Sequence, residues 1–545
     1  MIRNGIDGLA DAAHDVCVVG SGPVGIALAL ELERLGRSVL LLESGGDRAE
    51  RDAQALSDAH IVDAKRHDPM QIAVARRLGG TSHLWGGRCL PFDPVDFEAR
   101  PSVGGTPWPI AYADIAPHLA AATRYACAGA AVFSVEDKDE PGGDFSITRL
   151  ERWSARRRLI TAHRAALANS RRIDLRLHAT AVELEWNGCR IASLRVIGKD
   201  GASVSVPTRQ LVLATGGLES TRLLLAEQRR VPSRFGGPDG PLGRYYMGHV
   251  VGEIADIVLA NEAVDRLFDF YVDPHGSYVR RRFVPTAEAQ RRHGLLNIAL
   301  WPIVPPVSDA AHRDGFLSAI AVGLSIEPLG RRLIAEAIRK RHIPEGMARL
   351  PHLANMLRDL PRTLVAVPHL LWNRYLARMP VPGFYKRNVA RRYGLSYHSE
   401  QAPSRESRVR LSADADRTGL PRLEIDLRFS GADADSVVRA HEFLESWLTK
   451  AHIARIEYRE APDRRRASVL AQASHGTHQI GTARMAKSKP EGVVDAELRV
   501  FDTDNLFVAS AAVLPTSSQA NPTLTVMALA LRLAASLAGR GHGAA

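Results

Sequence analysis

The apolar positions of the chain fall into short runs separated by glycine, proline and charged residues. Val16-Cys17-Val18-Val19, entered from Asp15, predicts a buried strand. Residues 26–35 follow with helical spacing, Gly36 stops them, and 38–42 predict a second strand. A third apolar run, 210–213, ends in the small residues Ala214-Thr215-Gly216-Gly217. Residues 251–259, 278–284 and 295–304 predict further strands. Residues 409–411 and 422–427 predict a hairpin around Asp416-Arg417-Thr418-Gly419. Together these later runs suggest a largely antiparallel sheet. Asn521-Pro522 is a helix start, with asparagine as the cap and proline in the first turn, and 523–537 continue it as an apolar helix. No linker separates the two kinds of strand, so two discontinuous lobes are expected. The assignment is 1–100, 175–250 and 475–545 for the first, and 101–174 with 251–474 for the second.

Composition narrows the class. The chain has 545 residues, 45% of them hydrophobic and 24% charged, which fits a folded multi-lobed protein and excludes general disorder. No run of 18 apolar residues offers a membrane span, and residues 1–14 lack the apolar core of an ordinary signal peptide. A cytoplasmic location is the expectation, with export alongside a partner subunit left open. The four cysteines, Cys17, Cys89, Cys127 and Cys189, form no CxxC pair, so neither a disulfide scaffold nor a metal site is expected.

The net charge of +11 is local. Residues 331–392 hold fourteen Lys/Arg against three Asp/Glu, which accounts for the whole excess. The segment reads as mostly helical, with Leu333, Ile334, Ile338, Leu350, Leu353, Met356 and Leu357 on an amphipathic face. A solvated face, an electron-accepting subunit, an anionic membrane and a phosphorylated substrate all remain open as readings. No aromatic-interleaved basic stripe points to nucleic acid.

The first chemistry lies in Gly20-Ser21-Gly22-Pro23-Val24-Gly25, between the first predicted strand and helix. Gly20 permits the tight turn, Gly22 lets backbone approach a pyrophosphate, and Gly25 lets helix and strand pack closely. The helix start offers free N–H groups to phosphate. Glu43, 18 positions after Gly25, closes the next strand where a ribose hydroxyl would need an acceptor. With strand, helix and acid all in place, a dinucleotide is expected. The second small-residue strand, ending at Ala214, Thr215 and Gly216, points to FAD rather than NAD.

Three further segments complete a pattern. They are Arg77-Leu78-Gly79-Gly80-Thr81-Ser82-His83-Leu84-Trp85-Gly86-Gly87; Pro241-Leu242-Gly243-Arg244-Tyr245-Tyr246-Met247-Gly248-His249; and a C-terminal set from His478-Gln479-Ile480-Gly481-Thr482-Ala483-Arg484-Met485 to Asn521-Pro522-Thr523-Leu524. With the N-terminal unit, these resemble the glucose–methanol–choline (GMC) flavoprotein oxidoreductases. The details are most similar to the bacterial gluconate, fructose and glucoside dehydrogenase large subunits. The resemblance implies an α/β fold: a Rossmann-like FAD-binding domain, split in sequence, and a substrate domain on a largely antiparallel β-sheet with helices.

The resemblance also implies roles. His478 would be the base that takes the hydroxyl proton as hydride leaves carbon for flavin N5, and Asn521 its partner. Histidine suits that task because its pKa lies near neutrality. His475, three residues earlier, is the rival, but only His478 has the H-x-x-G-T spacing. FAD, held non-covalently, would contact Gly20, Gly22, Pro23, Gly25, Glu43, Ser44, Gly79, Gly80, Thr81, Ser82, Val182, Ala214, Thr215, Gly216, Ser510, Ala511, Pro522 and Thr523. The histidine that carries FAD covalently in some members would fall at Leu84, so His83 is one position early. Trp301, Tyr397 and His398 are candidate pocket residues, although residues of these types in strands are more often core than contact. The expected activity is FAD-dependent oxidation of a CH–OH group in a sugar, polyol or related alcohol. A dehydrogenase passing electrons to a partner subunit, a cytochrome or a quinone is favoured. An oxidase, or a non-redox flavoprotein like a hydroxynitrile lyase, is the alternative.

Overall fold

The computed structural model describes residues 1–539 apart from 157, 335, 378 and 384; the side chains of 337, 338 and 341 also lie outside the described residues, and with them the expected contact of Ile338.

Six parallel strands form the first sheet. Their order is Ile2–Asn4, Ile173–Leu177, Val39–Leu42, Val16–Val19, Leu211–Leu213 and Leu506–Val508. Val16–Val19 and Val39–Leu42 are buried at every position, as parallel strands covered on both faces must be. Helix Pro23–Arg34 connects those two strands, and helix Thr523–Gly539 packs against it. The first helix begins three residues before the apolar periodicity does. Its first turn is set by Pro23, whose fixed φ and missing N–H suit that place. The sheet draws strands from the start, the middle and the end of the chain.

The second sheet has four antiparallel strands in the order Ile298–Ile303, Arg392–Glu400, His249–Leu259 and Ala454–Tyr458. Helices Gly431–Lys450 and Pro462–Gln472 pack against it. The strand expected at 278–284 touches it at one point, where Phe283 and Leu300 exchange both backbone hydrogen bonds at 2.8 Å. Tyr278–Arg281 pairs with Leu150–Trp153 in a separate small sheet with Arg88–Cys89, and Val284–Pro285 pairs with Phe145–Ser146. Arg280 is held by Glu151, and Arg282 donates to Gln519 Oε1 at 2.6 Å. The expected hairpin forms as Arg408–Ala415 and Pro421–Asp426, but Ala59–Ile61 extends it into a sheet of its own.

Residues 101–174 divide between the lobes. Trp108, Ile115, Leu119 and Ala122 sit in the core around the parallel sheet, while Leu150–Trp153 belongs to the small antiparallel one.

The basic segment belongs to a helical insert between Ile298–Ile303 and Arg392–Glu400. Its helices are Gly315–Ser325, Glu327–Leu333, Glu336–His342, Leu350–Arg358 and Leu360–Leu371, the last running into a wider turn at Trp372–Leu376. It has a small core of Val307, Phe316, Leu317, Ala321, Leu324 and Ile343, against which Leu333 and Ile334 pack. Met356 is half-buried, but Leu350, Leu353 and Leu357 face solvent. No helix among the described residues is long and apolar enough to cross a membrane.

Candidate active site

A cavity of about 520 Å³ opens at the carboxyl ends of the parallel strands and runs towards the antiparallel sheet. Open α/β sheets bind their ligands at this edge. Each glycine of the first turn has a separate task. Gly20 has φ +100°, and a side chain there would meet the Ala214 carbonyl at 2.6 Å. A Cβ on Gly25 would come within 1.9 Å of the Gly20 carbonyl oxygen, so Gly25 serves helix–strand packing and does not itself line the cavity. Gly22 has an ordinary backbone (φ −70°) and nothing within 4 Å of a Cβ position. Only the cavity lies beside it, together with the start of helix Pro23–Arg34.

Most of the expected contacts line this cavity: Gly20, Gly22, Pro23, Glu43, Ser44, Gly80, Thr81, Ser82, Ala214, Thr215, Gly216, Ser510, Ala511, Pro522 and Thr523. Glu43 also holds the loop. Its Oε2 accepts from the Ser21 N–H (3.1 Å) and hydroxyl (2.6 Å), and its Oε1 accepts from the Gly45 N–H (2.8 Å). Gly79 does not line the cavity; its N–H donates to the Ser21 carbonyl and ties the two glycine loops together. Val182 is a correction. The chain turns sharply at His178 (φ +57°), so that Ala179, Thr180 and Ala181 reach the wall and Val182 is buried beyond it. His83 turns its Nε2 to the Leu78 carbonyl at 2.9 Å and is not in the wall, whereas Leu84 and Trp85 are.

The other end of the cavity carries the polar chemistry. His478 and Asn521 meet there, with Asn521 Nδ2 3.1 Å from His478 Nε2. His478 Nδ1 lies 2.9 Å from Nδ1 of His249, a residue whose role the sequence did not reveal. His249 is fully buried at the start of its strand, and its Nε2 contacts the Ser517 carbonyl at 3.2 Å. A carbonyl only accepts, so the His249 proton sits on Nε2. Burial pushes the His249 pKa well down, followed in effect by the nearby His478 and Arg88, so the ring stays neutral and its Nδ1 is an acceptor. His478 must then donate from Nδ1. Its Nε2 lone pair is left facing Asn521 and the cavity.

Two more imidazoles complete the cluster. His398 stacks on His249 with ring centroids 4.1 Å apart, and its Nδ1 donates to the Gln519 carbonyl at 2.7 Å. Burial also lowers its pKa well below the usual value. His475 packs 4.6 Å from the His478 ring and accepts from the His478 N–H. A ring nitrogen from each of the four lies within 4.8 Å of the others, close enough to hold a metal ion, and each of the four rings also has a hydrogen-bond partner in the protein. Of Trp301, Tyr397 and His398, only His398 lines the cavity. Tyr397 packs edge-on against His441, and Trp301 lies under the guanidinium groups of Arg88 and Arg280. Arg88 lines the cavity and is paired with Glu151 at 2.7 Å.

The chain's own groups fit a flavin dinucleotide. A helix start and an open glycine face the cavity where phosphates would lie. Ser510 Oγ and Asn521 Oδ1 are buried without a hydrogen-bond partner on the same wall, and such groups call for a ligand. Fold and site together define a flavin-dependent oxidoreductase.

Comparisons with known proteins agree with this reading. Residues 13–63 match the family model of an FAD binding domain, and residues 403–530 match that of the GMC oxidoreductases. FAD is the cofactor, and over residues 403–530 the chain is similar to the GMC oxidoreductases. It is 24% identical to 6'''-hydroxyparomomycin C oxidase of Streptomyces lividus, over 98% of this chain and 93% of that one. It is 21% identical to 2-methyl-1,2-propanediol dehydrogenase of Mycolicibacterium austroafricanum, over 95% and 94% of the two chains. Among solved structures, pyridoxine 4-oxidase from Mesorbium loti superposes with a TM-score of 0.53 at 18% identity, covering 98% of this chain and all of the other.

Proposed function

We propose that the chain oxidises a CH–OH group of a sugar, polyol or related alcohol, with His478 as the base. The observation that carries this reading is the pairing of His478 Nδ1 with His249. With Nδ1 engaged there, Nε2, which faces the Asn521 amide and the cavity, is the nitrogen placed to take a hydroxyl proton. Asn521 cannot take a proton, but its amide faces the same nitrogen and can hydrogen-bond the substrate oxygen beside it. FAD supplies the hydride acceptor when it is bound. Gly20, Gly22, Pro23, Glu43 and Ser44 would hold its nucleotide half, and Ser510, Ala511, Pro522 and Thr523 would lie nearer the reacting end. Buried His249 and His398 supply no charge of their own and help to keep water away from the proton transfer.

The same reading favours a dehydrogenase that passes electrons to a quinone, a cytochrome or a partner subunit. Of the two relatives that span nearly the whole chain, one is named a dehydrogenase and the other an oxidase, so oxygen is the competing acceptor. An anaerobic visible spectrum, recorded before and after adding a panel of sugars and alcohols, tests the reaction. The flavin bands should bleach with a substrate in the panel, and His478→Ala should slow that bleaching by ~10²–10⁴-fold with flavin retained. Bands that never bleach would move the protein to the non-redox reading. Admitting air to the reduced protein then separates the acceptors: slow recolouring in air and fast recolouring with a quinone mark the dehydrogenase.

A further inference from the structure

The helical insert carries an amphipathic face turned the wrong way for a core. In Leu350–Arg358 the inward side chains are polar. His352 contacts Ser318 Oγ and the Ser308 carbonyl, each at 3.2 Å. Asn355 donates to the Ala310 carbonyl at 2.8 Å and to Ser318 Oγ at 3.2 Å. Gly315 lets the neighbouring helix come close, since a Cβ there would strike Thr363 Oγ1 at 2.4 Å. These bonds fix the roll of the helix, so its leucines stay outside. Leu350, Leu353 and Leu357 recur at intervals of three and four residues on the outer face of this helix, with exposures of 79%, 41% and 72%. On the next helix, which starts after a break at Asp359, Leu360 and Leu364 are 42% and 64% exposed, and Val365, Trp372 and Leu376 are more than half exposed. So many exposed apolar side chains on two successive helices mark a partner that brings an apolar face of its own.

The charge around it selects the partner. Arg349, Arg358 and Arg362 are exposed on the same two helices, within the segment that carries the chain's whole excess of +11. A second copy would bring the same positive charge and be repelled. A nucleic acid would satisfy the arginines but offer the leucines nothing. We propose that the Leu350–Leu376 face is a peripheral docking surface for an anionic lipid bilayer, with the leucines, Val365 and Trp372 in the headgroup boundary and the arginines on acidic headgroups. This helix pair stands beside the active site in the chain. Arg374 donates to the carbonyls of Val381 and Pro382, at 3.1 and 2.7 Å, and Pro382 lines the flavin cavity. A docked insert would therefore bring part of the cavity wall near the lipid surface.

Co-sedimentation of the flavin-loaded full chain with vesicles tests this. Neutral phosphatidylcholine vesicles are compared with vesicles containing an acidic phospholipid, at about 0.1 M and 0.5 M salt. Binding to the acidic vesicles should exceed that to neutral ones by ~10-fold or more and weaken at the higher salt. Leu357→Glu with Val365→Glu, and separately Arg349→Glu with Arg358→Glu and Arg362→Glu, should each reduce it at least ~10-fold. Each variant should keep its flavin absorbance per protein, which shows that it has folded. Reversal of Arg195 and Arg455, exposed outside the insert, should leave binding unchanged. Equal binding to neutral and acidic vesicles, binding that the insert variants do not alter, or no binding together with a dimer that Leu357→Glu dissociates would each overturn the proposal.

Discussion

His249 Nδ1 and His478 Nδ1 face each other at 2.9 Å, and only one of them can carry the proton between them. The Ser517 carbonyl settles which, because it occupies the other nitrogen of His249. A strand residue thereby fixes the protonation of a loop residue 229 positions away. His249→Leu should leave the flavin bound, lower kcat/KM by ~10–100-fold and alter its pH profile. His249→Asn restores an acceptor on that side and should recover part of the rate. Steady-state kinetics across pH reads both. Equal loss in the two variants would reduce His249 to a packing role.

Asn521 stands where a charge would act directly on His478, the proposed base. Asn521→Asp places a carboxylate beside His478 Nε2, which favours the imidazolium and raises the pKa of the ring. The acidic limb of the pH–rate profile should move to higher pH, with activity falling most below neutrality. Asn521→Ala should lower the rate without moving the limb upward.

The three glycines of the first turn should fail in different ways. Gly22→Val adds bulk only on the cavity side, at a backbone conformation valine adopts readily. The variant should fold with near-normal stability yet purify with little flavin. Gly25→Ala places a methyl group on the Gly20 carbonyl, and Gly20→Ala puts a side chain at φ +100°, so both should lower stability before binding. Thermal melts and flavin content per protein, taken together, separate the cases.

Acid should destabilise the protein through buried neutral histidines. Burial lowers His67 and His441 to about 4, and His249 and His398 fall well below their usual value too. A depressed folded-state pKa gives stability that is present above the unfolded value, near 6.5, and lost as pH falls towards the folded one. His67 and His441 each contribute up to about 3 kcal/mol that disappears by about pH 4. Asp96 opposes them: burial, with Glu400 and Asp93 nearby, raises it to about 7, so its contribution is lost as pH rises through that value. Burial also raises Asp433 and Asp269, in the same sense as Asp96, but the large downward shifts of the four buried imidazoles should outweigh these carboxyls and make the melting temperature fall between pH 6.5 and 4. His441→Met removes a ring whose Nε2 is buried without a partner, and should flatten that fall. A slope unchanged by His441→Met would locate the titration elsewhere.

The nucleotide end of the site was legible in the sequence because its information is local. Gly20, Gly22 and Gly25 act within one strand–turn–helix unit, and their spacing states their geometry. His478 and Asn521 became legible through the resemblance, since the 43 positions between them have no local meaning. His249 was not assigned a role and His398 was only a candidate pocket residue, because their meeting depends on strand register. Val251 lies opposite His398, so His249, two residues away on the same face, reaches its ring. Val182 was misplaced because one left-handed residue, His178, decides which part of the next strand meets the cavity. The apolar spacing of 350–357 was readable, but its outward direction was not; that follows from polar bonds made by His352 and Asn355 to a neighbouring helix and loop.

The parallel sheet carries a consequence for biosynthesis. Leu506–Val508, which pairs with Leu211–Leu213 in that sheet, leaves the ribosome about 490 residues after strand Val16–Val19. At roughly 5–20 residues per second, the nascent chain waits on the order of half a minute or more for that strand. Asn521 and the final helix follow it still later. The glycine turn is therefore made long before the wall that completes its cavity. A complete cavity for the flavin has to wait for that strand, and until then the apolar edge of Leu211–Leu213 needs shelter from chaperones or from the ribosome surface.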